Sequence, residues 1–496
     1  MAKRIAVWYV LLVVLGTVGA RADENGKNEL PPRVATHHSM ALGDHRIDYE
    51  AIAETLPLTD AKGAATATIF TVSYIADSEP GAGRPVSFVF NGGPGAASVF
   101  LHLGAMGPEI LQTPPDGAVP SPPGHLIDNQ ATWLGFTDLV FVDPVGTGFS
   151  RGKGKEENPD KPFWDVRADI ASLGSVVRLW LTRNQRWASP VYLVGESYGG
   201  FRAAAMTQSL PHDIGISVKG VVLISPALDL SALHQGDRDL LATAFLLPSY
   251  AATAAAYNPT PPGRDISAAE RFALSDYLVG LAALKGQPSP ADPFINRVAE
   301  ITGVPEDIVR RYRGRIPRHV FAREILRSRG EVVSLYDSAI ARPAGPEGSE
   351  AGDPVLQPAV AAYGTAFNAY LAEVLGVHTD LAYRVLPREI SQQWNWEDQR
   401  QHGSDGLAMS SLEAGLLEHP GTRVLIVNGR DDLVTPYLAS RWLVDQLEVP
   451  AEVRAGIRLR VYDGGHMVYM HPAARSQLAH DAAELYGAAG APALSP

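Results

Sequence analysis

The stretch Val191–Gly200, Val-Tyr-Leu-Val-Gly-Glu-Ser-Tyr-Gly-Gly, limits what this chain can fold into more than any other. Val191 to Val194 is a short apolar run, the pattern of a strand buried on both faces of a parallel sheet. Gly195-Glu-Ser-Tyr-Gly199 follows at once and fits Gly-x-Ser-x-Gly, in which the chain leaves a strand, turns sharply and starts a helix. Such a turn strains the serine backbone, and glycines on either side let strand and helix approach closely. Ser197 is therefore a candidate nucleophile at the carboxyl edge of a sheet, with the amide of Tyr198 pointing the same way. Phe201 to Leu210 is alanine-rich and suits the following helix. The alternative is an ordinary strand–turn–helix with a capping serine. An apolar strand before and a helix-forming run after favour the nucleophile.

Around this stretch the chain alternates. Pro85–Phe90 and Asp138–Asp143 read as buried strands, each followed by a glycine-rich loop: Asn91-Gly-Gly-Pro-Gly95 and Asp143-Pro-Val-Gly-Thr-Gly-Phe-Ser150. Val166, Ile170, Leu173, Val177 and Trp180 repeat at helical spacing and form one apolar stripe. Gly220–Ile224 is one more strand. Before them, His45–Leu56 and Ala65–Ile75 alternate and suit an antiparallel pair. This order predicts an α/β fold with a mostly parallel central sheet, helices on both faces, and ligand-binding loops along one edge. From Asp229 to about Pro420 the rhythm breaks. Ser267 and Glu270 suggest a capping box before a helix over Arg271–Leu284, Arg342–Pro358 is rich in Pro and Gly, and strand alternation is hard to find. We read residues 229–420 as an inserted, mainly helical cap between two parts of one core, 23–228 and 421–496. In the second part, strands resume at Arg423–Asn428 and Arg458–Tyr462, with helices near Tyr437–Leu447 and from about Ala473.

A serine hydroxyl needs a base, and the base needs a partner to fix its tautomer. Each of the last two strands ends in a candidate. Gly429-Arg-Asp-Asp432 follows one, and Asp463-Gly-Gly-His466 follows the other. His466 comes after two glycines that let a loop carry the imidazole to Ser197, whereas His471 reads as a surface histidine. Asp431 and Asp432 compete as the orienting carboxylate. Asp432 is preferred because it lies in a Gly-x-x-Asp-x-x-x-Pro arrangement, which leaves Asp431 as a solvated loop carboxylate. The tetrahedral intermediate of acyl transfer also needs two fixed amides; Tyr198 supplies one, and the loop Asn91–Gly95 the other, most plausibly at Gly93.

Composition narrows the setting. The chain carries 42 Lys and Arg against 54 Asp and Glu, a net charge of −12, which speaks against nucleic acid and anionic membranes as partners. Lys3 and Arg4, an apolar run to Val18, and Ala20-Arg21-Ala22 have the form of a cleavable secretory signal over residues 1–22. Loss of Lys3, Arg4 and Arg21 with it would leave −15 on the mature chain. There is no cysteine, so an exported form holds its fold without disulfides. The periplasm of a bacterium, or secretion, is the expected location, without a membrane anchor after cleavage. No cofactor or metal is expected. There is no His-Glu-x-x-His, and His37-His38 reads as a solvated pair. Oligomeric state is not legible.

Five motifs then carry a family resemblance: Asn91-Gly-Gly-Pro-Gly95, Gly104-Ala-Met-Gly-Pro108, Asp143–Ser150, Gly195–Gly200 and Gly465-His466-Met. In that order they resemble the serine carboxypeptidases, peptidase family S10, over about Ile69–Leu230 and Arg423–His471. The resemblance implies an α/β-hydrolase fold and a triad of Ser197, Asp432 and His466. It implies an oxyanion hole of Gly93 and Tyr198, and Asn91, Gly92 and Glu196 as the site for the terminal carboxylate of a peptide. Two carboxyl groups share a hydrogen bond only if one is protonated, so acid pH would be favoured. The sequence departs from the family at Val89, where Trp is frequent, and at Ala96, where Cys is usual. It departs also at Ala105, where many members carry the glutamate that pairs with the residue matching Glu196. Glu109 is a candidate substitute. These departures leave an esterase, acyltransferase or aminopeptidase-like hydrolase as the alternative.

Overall fold

The computed structural model describes residues 33–77, 83–233, 239–258, 265–283, 292–345, 352–396 and 407–488. The expected signal, residues 1–22, lies outside the described residues. Nine strands line up in one sheet. In chain order they are β1 (Arg33–Leu42), β2 (His45–Thr59), β3 (Ala65–Ala76), β4 (Val86–Phe90), β5 (Asp138–Val142), β6 (Val191–Glu196), β7 (Val218–Ile224), β8 (Arg423–Gly429) and β9 (Ile457–Tyr462). Their spatial order is β1-β2-β3-β5-β4-β6-β7-β8-β9, and the two-residue strand Arg151–Gly152 also pairs with β3. The pairs from β5 to β9 are parallel, whereas β1, β2 and β3 join as an antiparallel meander. This is the mixed, mostly parallel sheet of an α/β-hydrolase.

Side-chain alternation divides the core. Val191 and Leu193 of β6 face one cluster with Phe88, Phe90, Val221 and Leu223, while Tyr192 and Val194 face the other with Val89, Val222 and Ile224. On the first face lie α1 (Val166–Arg183), α2 (Tyr198–Ser209), α5 (Leu407–Glu418) and α6 (Tyr437–Asp445). On the second lie α4 (Leu356–Glu373) and α7 (Pro472–Tyr486). The expected stripe of α1 is buried from Val166 to Trp180, and Asp165 caps the helix by accepting from the amide of Ala168 at 2.9 Å.

The segment between the two parts of the core is mainly helical, with α3 (Leu247–Tyr257) buried for most of its length. Two of its helices leave any cap-like position. α4 packs in the second layer, and α5 lies against α2. The segment also holds a hairpin of Glu331–Val333 and Ala341–Pro343, with strands of three residues each, too short to display an alternating pattern. The expected capping box does not form. Asp265, two residues ahead of Ser267, accepts from the Ser267 amide at 2.9 Å and starts the helix Ile266–Phe272. Glu270 is thereby free to bind the Tyr437 hydroxyl and Arg441, both at 2.7 Å, across to α6.

Glycines set how closely β4, β6 and α2 meet. A Cβ on Gly195 would lie 1.9 Å from the Gly199 carbonyl oxygen, and one on Gly199 would lie 2.1 Å from that of Phe90. Backbone cannot yield to such contacts. Gly199→Ala is expected to lower stability by more than about 3 kcal/mol or to abolish cooperative unfolding in urea. Gly421→Ala, where a Cβ meets nothing within 4 Å, should stay within about 0.5 kcal/mol.

Candidate active site

Ser197 sits between β6 and α2 at φ 57° and ψ −122°, a backbone region that side chains rarely adopt. The strain is held by backbone hydrogen bonds, among them one from Phe201 N to the Ser197 carbonyl at 3.3 Å. The Ser197 amide donates to Ile224 O at 2.9 Å, and its carbonyl accepts from Gly200 N at 2.9 Å and Ala227 N at 3.0 Å. Tyr198 opens α2, so its N–H is among those that a helix's own ladder leaves without an acceptor.

The loop after β4 presses onto this turn. A Cβ on Gly92 would lie 2.6 Å from Tyr198 N and 2.9 Å from Ser197 Cβ, so only glycine lets the loop come so near. Gly93 stands at φ 103°, and its N–H finds no acceptor among the described residues. Asn91 is tied at both ends of its side chain: Oδ1 accepts from Leu101 N at 3.0 Å and Nδ2 donates to Glu196 Oε2.

Two loops on the same edge of the sheet bring Asp432 and His466 together. The Asp432 carboxylate is fully buried. Its Oδ1 accepts from the amides of Val434 at 2.7 Å and Thr435 at 2.9 Å, and its Oδ2 from the Thr435 hydroxyl at 2.6 Å. The same Oδ2 lies 2.8 Å from His466 Nδ1. An ionised carboxylate only accepts, so Nδ1 carries the proton and Nε2 is left with a lone pair. Burial pulls the imidazole pKa down, but the charge and hydrogen bond of Asp432, joined by the charge of Glu196, leave it above its ordinary 6.5.

Asp431 differs from its expected role. It is half-buried rather than fully solvated, and loss of water beside Asp337 raises its pKa to about 7. His471 is not a free surface histidine either; its Nε2 meets Asp337 Oδ2 at 2.8 Å. Asp337 belongs to a stretch that sequence reading passed over, residues 335–338. His466 N donates to Tyr336 O at 2.5 Å, Ser338 N to Asp431 O at 2.9 Å, and Leu433 N to Leu335 O at 3.0 Å. The Tyr336 ring meets the His466 imidazole edge-on, with centroids 5.1 Å apart. One short segment thus braces both loops.

Glu196, the residue before Ser197, is buried, and loss of water lifts its pKa to about 7. Its Oε2 accepts from Asn91 Nδ2 and, at 2.8 Å, from the hydroxyl of Tyr469. Tyr469 was not singled out from the sequence. Its ring lies over Gly104, where a Cβ would sit 2.6 Å from Tyr469 Cε2, so the small pair Gly104-Ala105 makes room for it. Glu109 does not take the place of a second carboxyl group. It lies in the short hairpin with Asp128, and no hydrogen bond joins it to Glu196 among the described residues.

Among the described residues no group of His, Asp and Glu could hold a metal ion. The arrangement can supply a proton acceptor, a strained hydroxyl, unpaired amides and a carboxyl group poised between its two protonation states.

Residues 60–247 match the family model described as serine carboxypeptidase, Peptidase_S10. The chain is 31% identical over 166 residues to "Carboxypeptidase Y homolog" of Arthroderma benhamiae, covering 31% of this chain and 29% of that protein. It is 30% identical over 156 residues to "Serine carboxypeptidase-like 8" of Arabidopsis thaliana, covering 31% of this chain and 33% of that protein. The match thus spans about a third of the length of these curated relatives. Among solved structures, VinJ aligns over 88% of this chain and 98% of its own at 13% identity and a TM-score of 0.37. Esterase E22 aligns over 88% and 100% at 12% identity and a TM-score of 0.40.

The Tyr469 hydroxyl stabilises the charged form of Glu196. Tyr469→Phe is therefore expected to move the Glu196 titration upward from about 7. The infrared carbonyl band of the protonated carboxyl group, assigned by its loss in Glu196→Gln, reads this directly. A band that titrates at the same pH in both proteins would refute the assignment.

Proposed function

We propose that this chain, whose residues 60–247 match the serine carboxypeptidase family model, removes carboxyl-terminal residues from peptides through an acyl-enzyme on Ser197. His466 Nε2 takes the Ser197 proton as Oγ attacks the carbonyl carbon of the last peptide bond. Asp432 holds the imidazole in the needed tautomer and stabilises its charged form. The amides of Gly93 and Tyr198 receive the oxyanion. The protonated imidazole then gives its proton to the leaving amine, and water, activated by the same base, releases the acyl group.

The observation that carries the carboxypeptidase reading is Glu196, a buried carboxyl group beside the nucleophile with a pKa of about 7. When protonated it can donate to the free carboxylate of a peptide, with Asn91 and the Gly92 amide as further donors. When ionised it repels that carboxylate. We further propose that the protein is exported, to the periplasm of a bacterium or beyond, as the amino-terminal pattern suggests. An esterase or acyltransferase on the same machinery is the second reading, favoured because Glu196 is bonded by Asn91 and Tyr469 and not by a second carboxyl group among the described residues.

Ser197→Ala should lose fluorophosphonate labelling and at least about 10⁴-fold in kcat on peptides, while a chelator leaves the wild type unchanged. The pH profile separates the readings. Glu196 is neutral below about 7 and charged above it, so kcat/KM for a free-acid peptide should fall as pH rises through that range. A neutral ester needs only unprotonated His466, and its hydrolysis should rise with pH above the ordinary imidazole range. Parallel profiles, or equal cleavage of a blocked dipeptide and its carboxyl-amidated twin, would sink the carboxypeptidase reading and leave the esterase.

A further inference from the structure

A buried ion pair lies beneath the loop that carries Gly93. Arg202, in the second turn of α2, is fully buried, as is Asp169 on α1. The two meet bidentately: Arg202 Nε donates to Asp169 Oδ2 at 2.7 Å and Nη2 to Oδ1 at 3.2 Å. The third nitrogen turns elsewhere. Arg202 Nη1 donates to the carbonyl of Asn91 at 2.6 Å and reaches that of Gly92 at 3.4 Å. The guanidinium carbon also lies 5.0 Å from the centroid of the Tyr198 ring.

The geometry of the peptide unit gives these contacts a consequence. In a trans peptide the C=O and the N–H point in opposite directions within one rigid plane. The carbonyl of Asn91 shares its plane with the amide of Gly92, and that of Gly92 with the amide of Gly93. Drawing both carbonyls toward Arg202 turns both amides away from it. Among the described residues neither the Gly92 N–H nor the Gly93 N–H has an acceptor. Glycines at 92 and 93 have little conformational preference of their own; the turn holds the Gly92 carbonyl through Ala96 N at 3.1 Å, and the short contact that fixes the Asn91 carbonyl comes from Arg202. We propose that Arg202, fixed by Asp169, is the positioning residue of the oxyanion loop, holding the Asn91 and Gly92 carbonyls so that the Gly93 amide faces the reacting carbonyl. Only arginine suits the post. Its fork satisfies a carboxylate with one edge and keeps a further donor for the loop, whereas lysine has one nitrogen for both tasks.

The inference rests on the serine-hydrolase reading, and two variants test it. Arg202→Lys keeps the charge opposite Asp169 but not the second arm. Arg202→Met combined with Asp169→Leu removes both ends of the pair, so that no lone charge is buried. Thermal melting and circular dichroism measure the folded fraction. Kinetics on a neutral ester and the affinity of a peptide boronate, which forms a tetrahedral adduct on the serine, measure the hole. Misplacing one oxyanion donor is expected to lower kcat about 10²-fold per folded molecule, with KM changed by no more than about twofold. Boronate affinity should fall in parallel with kcat/KM. A pair that merely staples α1 to α2 would change melting alone. If the wild type takes no fluorophosphonate at Ser197, the serine-hydrolase reading falls and this inference with it. If the wild type is labelled and either variant keeps its kcat and boronate affinity per folded molecule, this inference alone is overturned.

Discussion

The backbone of Ser197 is held in a conformation that it would not adopt alone, and the cost is met by close contact on every side. β6 delivers the serine, α2 leaves from it, and the loop after β4 closes over it. These three pieces can meet only because Gly92, Gly195 and Gly199 present bare backbone. The half-buried serine, the unpaired helix amide of Tyr198 and the unpaired loop amides of Gly92 and Gly93 then fall together. None of them needs a long side chain to be aimed, so this part of the site is built from the rigid frame of the sheet and loses little entropy when a substrate arrives.

The acid–base half of the site is built differently. Asp432 and His466 sit on loops, and loops need support. Two amides and a hydroxyl fix the carboxylate, and the backbone of residues 335–338 holds both loops at once. Asp432 is surrounded by donors, and loss of water raises the pKa values of Glu196 and Asp431.

What the sequence made legible follows the range of each signal. Strands β4 to β8 are continuous apolar runs, and the elbow and the glycine loop are local patterns, so all were readable from neighbouring residues. Strand β1, Arg33–Leu42, escaped notice because it is an edge strand with mostly exposed positions and a polar centre, Thr36 to Ser39. The capping box near Ser267 failed to a competitor two residues away, a distance at which pattern rules do not discriminate. Asp337, Tyr336 and Tyr469 had no local mark at all. The hydrogen bond from Tyr469 to Glu196 joins residues 273 apart, and nothing in a tyrosine's own neighbourhood announces such a partner. Arg202 was likewise invisible, since on a helix written Phe-Arg-Ala-Ala an arginine reads as a solvated side chain.

The bracing by residues 335–338 has a consequence for how a protein of this build can diverge. The residues between β7 and β8 hold both a bulky helical body and the clamp on the histidine and aspartate loops. A change that reshapes this body to suit a different substrate also pulls on the machinery that moves protons. Under the proposed chemistry, selectivity and turnover would be mechanically linked, and new preferences would arise more freely from parts of the insertion remote from that clamp.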